Sequence, residues 1–285
     1  MIDVQFAESM REAAAVWDIA TPSRRARLPG LAMAGFRARV GDVIDLPVVP
    51  YPAVTVHVDF SGGLLVGDAS GRQHRGSVVA GLAPDGVRVR GQGIEGLQVR
   101  LSPVLAHAVL GASADLSGRL VAFDDIWGRD APRLQDQLRA TTSWDDRFAM
   151  VEAVLARRLD AGATVDPEIA FAWRQLATTK GQVRVERLAA EVEWSRKRLW
   201  SRFRSQTGLT PKRAARLVRF DHAAHRLAAG DSPALVAAET GYVDQSHLHR
   251  DVMNFARVTP TGVSVAPWLA VDDVAWTTRE HASRP

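Results

Sequence analysis

The chain has no cysteine among its 285 residues, and this absence limits both its chemistry and its surroundings. It can form no disulfide, and it has no thiolate to ligate zinc or an iron–sulfur cluster. A chain without thiols suits a reducing compartment, so we expect it in the cytoplasm. Its stability must come from packing, for which a composition of 46% hydrophobic and 24% charged residues is ordinary.

Long apolar runs are lacking too. No stretch approaches the roughly 20 apolar residues of a transmembrane helix. The first twenty residues carry five charged side chains, which predicts that there is no signal peptide. We therefore expect no membrane contact. Residues 5 to 17 instead place apolar side chains along one face of a short predicted helix.

The sequence patterns of several enzyme classes are absent. There is no glycine-rich phosphate loop ending in Lys-Ser or Lys-Thr, no Gly-x-Ser-x-Gly elbow and no His-Glu-x-x-His helix. His57 and Asp59 lie two apart on a predicted strand, and His74 follows after a turn. A metal site here would need further ligands, so a pocket-lining role is favoured for His57. His222 and His225 lack a third ligand and are interpreted as helix surface. No catalytic residue, metal site or cofactor is predicted.

Residues 31 to 101 have the short apolar runs of a β-rich region. The runs are separated by Gly, Pro and Asp, and the segments 61–63 and 70–71 are typical of turns. Short strands at this spacing predict a small barrel or sandwich. The predicted strands cover residues 34–40, 54–60, 64–66, 77–80, 87–89 and 97–101.

After residue 103 the pattern becomes helical. Helices are predicted over residues 104–110, 131–138, 144–159 and 169–176, of which the third is the most clearly amphipathic. The polar stretch from Thr178 to Gln182 contains Gly181 and predicts an interdomain linker.

The stretch SRKRLWSRFRSQTG, residues 195 to 208, predicts a short amphipathic helix. Leu199 and Phe203 are one turn apart on its inner face, Ser195 is a good N-cap and Gly208 a good C-terminal stop. A second short helix precedes it after a tight turn, as in a helix-turn-helix. The residues left facing outward are Arg196, Lys197, Trp200, Ser201 and Arg204.

The same arrangement returns about 49 residues later, where Leu248 takes the place of Leu199. Residues 236–238 open a short helix, and Asp244 caps the helix that follows. Between the two units, Pro211 to Ala229 predicts one helix of roughly 28 Å at about 1.5 Å per residue. This is close to the ~34 Å between successive major grooves on one side of a duplex. The outward-facing candidates of the second unit are Gln245, Ser246, His249 and Arg250.

Charge is concentrated in the same region. Residues 183 to 262 contain 14 Lys and Arg against 8 Asp and Glu, a balance of +6, whereas the whole chain is +4. Between Ser195 and Arg219 there are nine basic residues and no acidic one. Such a surface fits phosphate contacts and a salt-dependent affinity for DNA.

A specific set of motif residues is distributed over the two units and the helix between them. By these residues, positions 183 to 262 resemble the DNA-binding domain of the AraC/XylS transcription regulators. The sequence departs from that family where Glu193 and Arg257 replace a usual Gly and Val252 a usual Phe, which predicts looser packing of the second unit. The motif residues are Leu188, Ala189, Trp194, Ser195, Leu199, Arg202, Phe203, Gly208, Thr210, Pro211, Ala237, Gly241, Tyr242, Asp244, Gln245, Ser246, Leu248, Arg250, Asp251, Thr259 and Pro260.

The resemblance implies an α+β fold. It has a β-rich amino-terminal domain with a helical subdomain, then an all-α DNA-binding domain of two helix-turn-helix units on one linker helix. Residues 1–180 would form the sensing or dimerising domain, residues 181–264 would bind DNA, and the tail 265–285 would dock back on the body. Residues 96–103 and 124–129 additionally resemble actinobacterial AraC-like proteins.

The function implied is sequence-specific transcription regulation, without enzymatic activity. Double-stranded DNA is the expected partner, and the resemblance allows a small-molecule effector, RNA polymerase and a second copy in a homodimer. Two alternatives stay open: a DNA-binding protein whose front domain only dimerises, and an enzyme whose active site lies within residues 31–101. The implied DNA-contact residues are Arg196, Lys197, Trp200, Ser201, Arg204, Arg216, Gln245, Ser246, His249 and Arg250.

Overall fold

The structure is a computed structural model that describes residues 16–39, 41–83, 86–111, 113–264 and 267–276. Most of the helix expected over residues 5 to 17 lies outside these ranges. Its last residue, Trp17, is described and begins a strand, so no helix continues to that position.

Ten strands of the described residues form two antiparallel sheets. They are β1 Trp17–Ala20, β2 Leu31–Ala38, β3 Val43–Pro47, β4 Val54–Asp59, β5 Leu65–Gly67, β6 Gln73–Arg75, β7 Val78–Ala80, β8 Arg88–Gln92, β9 Glu95–Leu101 and β10 Leu120–Ala122. One sheet has the order β1-β2-β9-β4-β7-β10 and the other β3-β8-β5-β6. The predicted β-rich region is confirmed. The polar strand β6 escaped prediction because it pairs only with β5 at a sheet edge and needs no apolar alternation.

The two sheets pack face to face. Val56 on β4 lies opposite Val99 on β9 in the centre of the larger sheet, and both side chains are buried. A separate apolar cluster joins the sheets, with Ile44 and Val66 from the smaller sheet against Val78 from the larger one. This packing is that of a sandwich, as predicted.

A helical subdomain follows the sheets. Ser102 caps the first helix, accepting from the Leu105 N–H at 3.2 Å, and Ser143 caps the fifth, accepting from Asp146 at 3.3 Å. The helices are α1 Pro103–Leu110, α2 Ser113–Leu116, α3 Phe123–Trp127, α4 Ala131–Ala140, α5 Trp144–Ala161 and α6 Pro167–Thr178.

The carboxyl-terminal half is helical throughout its described residues. Its helices are α7 Val185–Glu191, α8 Arg196–Thr207, α9 Pro211–Ala228, α10 Pro233–Glu239, α11 Gln245–Ala256, α12 Pro260–Ser264 and α13 Pro267–Ala275. Helix α10 begins three residues before the predicted Val236, because the Ser232 side chain accepts from the Leu235 N–H and sets the start there. Among the described helices, none combines the length and the apolar character needed to cross a membrane.

The segment between α6 and α7 is short and packs on α9. Gly181 has φ +73°, and a Cβ at this position would lie 2.2 Å from the Ala215 carbonyl oxygen. Only glycine fits both the backbone conformation and the close approach. The predicted linker is therefore fixed against the helix that joins the two units.

Candidate nucleic-acid interface

The first helix-turn-helix unit consists of α7 and α8. The Ser195 side chain accepts from the Arg198 N–H at 3.2 Å, and Gly208 ends α8 at φ +82°. Leu199 and Phe203 are fully buried one turn apart. These features confirm the predicted bounds of the helix and its inner face.

The opposite face of α8 carries the residues predicted to contact DNA. Trp200 is 45% exposed, and the Arg204 guanidinium lies 5.3 Å from its ring centre. Trp200 therefore lies on the outer surface and does not fill the seam against α9. The side chains exposed on this face are Arg196, Lys197, Trp200, Ser201 and Arg204.

The second unit consists of α10 and α11. Asp244 accepts from the His247 N–H at 2.6 Å and caps α11, and Leu248 is fully buried in the place that Leu199 has in α8. This confirms the predicted cap and inner face. The exposed candidates on α11 are Gln245, Ser246, His249 and Arg250.

Helix α9 joins the two units. Thr210 caps it, accepting from the Arg213 N–H at 3.3 Å, and Pro211 lies in the first turn. Its 18 residues span about 27 Å at about 1.5 Å each. The helix buries ten of its residues, so it joins the two units as part of a packed core.

Arg216 on α9 has a partner that sequence reasoning missed. Its guanidinium lies 2.6 Å from the Asp251 carboxylate on α11, and that carboxylate is buried. The hydrogen bond to Asp251 raises the pKa of Arg216. A buried carboxylate needs such a positive partner, so the pair of Arg216 and Asp251 holds α11 against α9.

Two of the three departures from the family pattern fall at strained positions. Glu193 in the turn of the first unit has φ +54°, and Arg257 at the end of α11 has φ +59°. Both lie in the left-handed region, where a side chain costs about 1–2 kcal/mol relative to glycine. Val252, the third departure, is fully buried.

A third face of α8 contacts the front half of the chain. Arg202 Nε and Nη2 each lie 2.7 Å from the Asp166 carboxylate, and Gln206 Oε1 accepts from the Asp166 N–H at 3.0 Å. The Arg202 hydrogen bond lowers the pKa of Asp166. The Trp173 ring centre lies 6.4 Å from that of Phe203. Nothing local in the sequence predicts these contacts, since Asp166 and Arg202 are 36 residues apart.

Val243 is a candidate that the sequence analysis did not include. It directly precedes the Asp244 cap, where an apolar residue often packs on Leu248 four positions into the helix. Instead, its side chain is 87% exposed. An uncovered methyl pair at the start of a reading helix is suited to contact a thymine methyl group.

The metal alternative gains no support from the geometry around His57. Asp59 accepts from the Ser61 hydroxyl at 2.7 Å and from the Leu64 N–H at 3.3 Å, so it holds a turn. Within the described residues, no group of three or more His, Cys, Asp or Glu is placed to hold a metal ion.

Residues 188–264 match the helix-turn-helix domain family. No curated protein matches the chain. ToxT from Vibrio cholerae O395 aligns at 11% identity and TM-score 0.47, over 84% of this chain and 98% of ToxT. The C-terminal domain of AraT from Geobacillus stearothermophilus aligns at 16% identity and TM-score 0.34, over 36% of this chain and 87% of that domain. The AraC-like activator CuxR aligns at 15% identity and TM-score 0.29, over 85% and 94%.

The solved structures are distant, so the assignment rests on the family match and on the motif residues it spans. Paired helix-turn-helix units with exposed basic faces define a DNA-binding protein. Residues 188–264 therefore form a helix-turn-helix domain of AraC type. The resemblance predicted from the sequence is thus confirmed.

Proposed function

We propose that this protein is a transcription regulator of the AraC/XylS type that recognises a specific DNA sequence by placing α8 and α11 in successive major grooves, under the control of a small molecule bound in its front domain. One observation carries the proposal. Each unit has a capped helix with a buried inner face and an exposed outer face, and a single helix of 18 residues joins the units. The length of this helix, about 27 Å, is near the ~34 Å between successive major grooves on one face of a duplex.

Base reading and phosphate binding are assigned to different side chains. On α8, Lys197, Trp200 and Ser201 face the bases, and on α11 Ser246 and Arg250 do so, with Val243 beside them. Base contacts carry sequence information, whereas phosphate contacts set register and affinity. The side chains assigned to the backbone are Arg196, Arg204, Gln245 and His249.

Arg216 was predicted as a further DNA contact, but its pairing with Asp251 gives it a positioning role. Lys212 is exposed in the first turn of the same helix, and in this proposal it takes over the phosphate contact. The change matters for experiments, because removing Arg216 would disturb α11 as well as any DNA backbone contact.

The front domain, residues 1–180, is assigned to effector binding, residues 181–264 to DNA binding and residues 265–285 to a docked tail. A mainly apolar cavity of about 110 Å³ between the sheets supports the first assignment. Apolar cavities near this size bind single-ring molecules. Contact with RNA polymerase and pairing of two copies belong to the same proposal, and catalysis does not.

Selection from randomised duplexes by the full chain tests the proposal. We expect an enriched site with two elements about 10 base pairs apart. Lys212→Ala should lower the slope of log affinity against log salt by about 0.9, one phosphate contact, while Arg75→Ala on the exposed edge strand leaves it unchanged. Absence of enrichment, with no duplex binding even at low salt, would refute the proposed function. Binding with no response to any small molecule would favour a front domain that only dimerises.

A further inference from the structure

The tail helix α13 touches both halves of the molecule. It packs against β1 and β3 of the front domain and against α9, the helix that joins the two DNA-reading units. Leu269 and Ala275 bury their side chains in these contacts. A helix of nine residues outside the helix-turn-helix units thus bridges the sheets and the linker helix.

One carboxylate on this helix joins elements from both halves. Asp272 is 3% exposed, and its Oδ1 lies 2.5 Å from Arg100 Nη2 on β9. Its Oδ2 lies 3.4 Å from His225 Nε2 on α9. A buried carboxylate is stable only beside positive partners, so the position of Asp272 depends on Arg100 and His225 together.

Arg100 is itself held by aromatic rings. Its guanidinium carbon lies 3.5 Å from the ring centre of Tyr51 and 4.1 Å from that of Trp276. Trp276 directly follows α13, so the tail supplies both a carboxylate and a ring to this arginine. These contacts fix Arg100 and the tail relative to each other.

The same tail residues form part of a cavity wall. The cavity of about 110 Å³ lies between the sheets, and Val271 and Asp272 close it from the tail side. His57, Gln98 and Tyr51 are its neutral polar lining residues. The apolar lining includes Trp17 and Phe36 from the larger sheet and Leu46 and Val89 from the smaller one.

The charges around the cavity are already paired. Asp272 is matched by Arg100, and Asp59 accepts hydrogen bonds from its own turn. Burial, together with the charge of Arg100, lowers the pKa of His57 to about 4, so its ring is neutral near pH 7. An anionic ligand would face the carboxylates of Asp59 and Asp272, and a cationic ligand would find both carboxylates already paired. The neutral imidazole of His57, by contrast, offers one donor and one acceptor.

We propose that this cavity binds an uncharged, mainly apolar molecule about the size of one aromatic ring, bearing one hydroxyl or carbonyl group, and that α13 transmits its presence to α9 through Asp272. The inference rests on the proposed function, since α9 matters for DNA reading only if the two units bind DNA. A molecule that touches Val271 and Asp272 changes the free energy of tail docking. The same carboxylate contacts His225, so α9 experiences that change.

Ligand class is tested by thermal melting of the full chain with phenol, benzoate or benzylammonium at equal millimolar concentration. We expect phenol to raise Tm by about 2 °C or more and the two ions to leave it unchanged. Val89→Phe, which fills the cavity, should remove the phenol shift, and Val43→Phe on the exposed side of β3 should keep it. Equal stabilisation by benzoate, or a phenol shift that survives Val89→Phe, would overturn the site.

Coupling is tested by DNA affinity with and without saturating phenol. In the wild type we expect a change of about threefold or more, which Asp272→Asn abolishes and Val274→Ala, on the exposed side of α13, preserves. Circular dichroism checks that both variants are folded. Phenol stabilisation without any change in DNA affinity would overturn the coupling, as would a change that Asp272→Asn leaves intact. A wild-type chain that binds no DNA fails the proposed function instead, whatever phenol does to its Tm.

Discussion

The two helix-turn-helix units share one architecture but have different neighbours. In the first unit, α8 is attached to the front half through Arg202 and Asp166 and through the Phe203 and Trp173 rings. In the second, α11 is attached to α9 through Arg216 and Asp251. The same fold thus gives one outer helix, α8, that adjoins the front half and one, α11, that is tied to α9.

This difference assigns different tasks to two copies of one motif. The first unit has the denser positive charge and an external contact that a change in the front domain can alter. The second has Asp251 beside Arg250 and packs within the DNA-binding half. We therefore expect the first unit to dominate both sequence discrimination and regulation.

The largest expected effect is on the cores of the two units. Phe203→Ala should lower the free energy of unfolding by about 3–5 kcal/mol, because it empties a fully buried site and removes the contact with Trp173. Val252→Ala in the second unit should cost about 1.5–3 kcal/mol, since a smaller side chain is lost. Urea unfolding measures both. Equal losses would contradict the prediction that the second unit packs more loosely.

The loss of DNA-binding free energy when a base-contacting side chain is removed should also differ between the units, by less than the loss of folding stability above. Lys197→Ala should cost about 1–3 kcal/mol on the selected site and relax preference in one element of it, because a lost base-edge bond affects only the matching sequence. Arg250→Ala should do less, since Asp251 is its neighbour. Competition with scrambled sites measures the difference, with Arg75→Ala as a control. Uniform weakening on all sequences by Lys197→Ala would assign that residue to phosphate instead.

His225 on α9, the helix that joins the units, should make the free energy of unfolding depend on pH. Burial alone would lower the pKa of His225, but its bond to Asp272 and the charges of Asp221 and Asp272 raise it to about 9. The protonated form therefore stabilises the fold fully below the unfolded value of about 6.5, and this stability is lost as pH rises towards 9. His225 is about one third exposed, so screening reduces the effect to about 1 kcal/mol.

Urea unfolding at pH 6 and pH 9.5 tests this, with His225→Gln as the comparison. We expect the wild type to lose stability between the two values relative to the variant, which lacks the titrating ring. His222→Gln, on the same helix, is the matched control. A difference between wild type and His225→Gln that stays constant with pH would contradict the role of this ring.

The smallest effects should come from the strained turns, where the two units are alike. Glu193→Gly and Arg257→Gly should each raise the free energy of unfolding by about 0.5–1 kcal/mol, because relief of the positive φ exceeds the added flexibility of the unfolded chain. Glu191→Gly, within α7, is the matched control and should lower it. Destabilisation by Glu193→Gly would show that its side chain stabilises the first turn.

What the sequence predicts well is what depends on neighbours along the chain. Ser195, Gly208, Pro211 and Asp244 lie at helix ends, and each end follows from one side chain or one backbone conformation. Periodicity likewise predicts the buried faces of α8 and α11, since burial follows the helical repeat.

Contacts between distant segments were not predictable in this way. His225 was interpreted as helix surface, yet it contacts Asp272, 47 residues further on, because the tail returns to the body. The Arg216–Asp251 pair likewise joins residues 35 apart in the chain. No local sequence pattern signals such pairs. Only the structure shows which charged residues on α9 have partners inside the protein.

Guanine methylation interference on the selected site tests the central claim most directly, because N7 of guanine lies in the major groove. The full chain should show two clusters of interference on one face of the duplex, about 10 base pairs apart. Lys197→Ala should weaken one cluster and leave the other, which would assign α8 to its groove. A single cluster, or two that Lys197→Ala weakens equally, would contradict the placement of two helices in successive grooves.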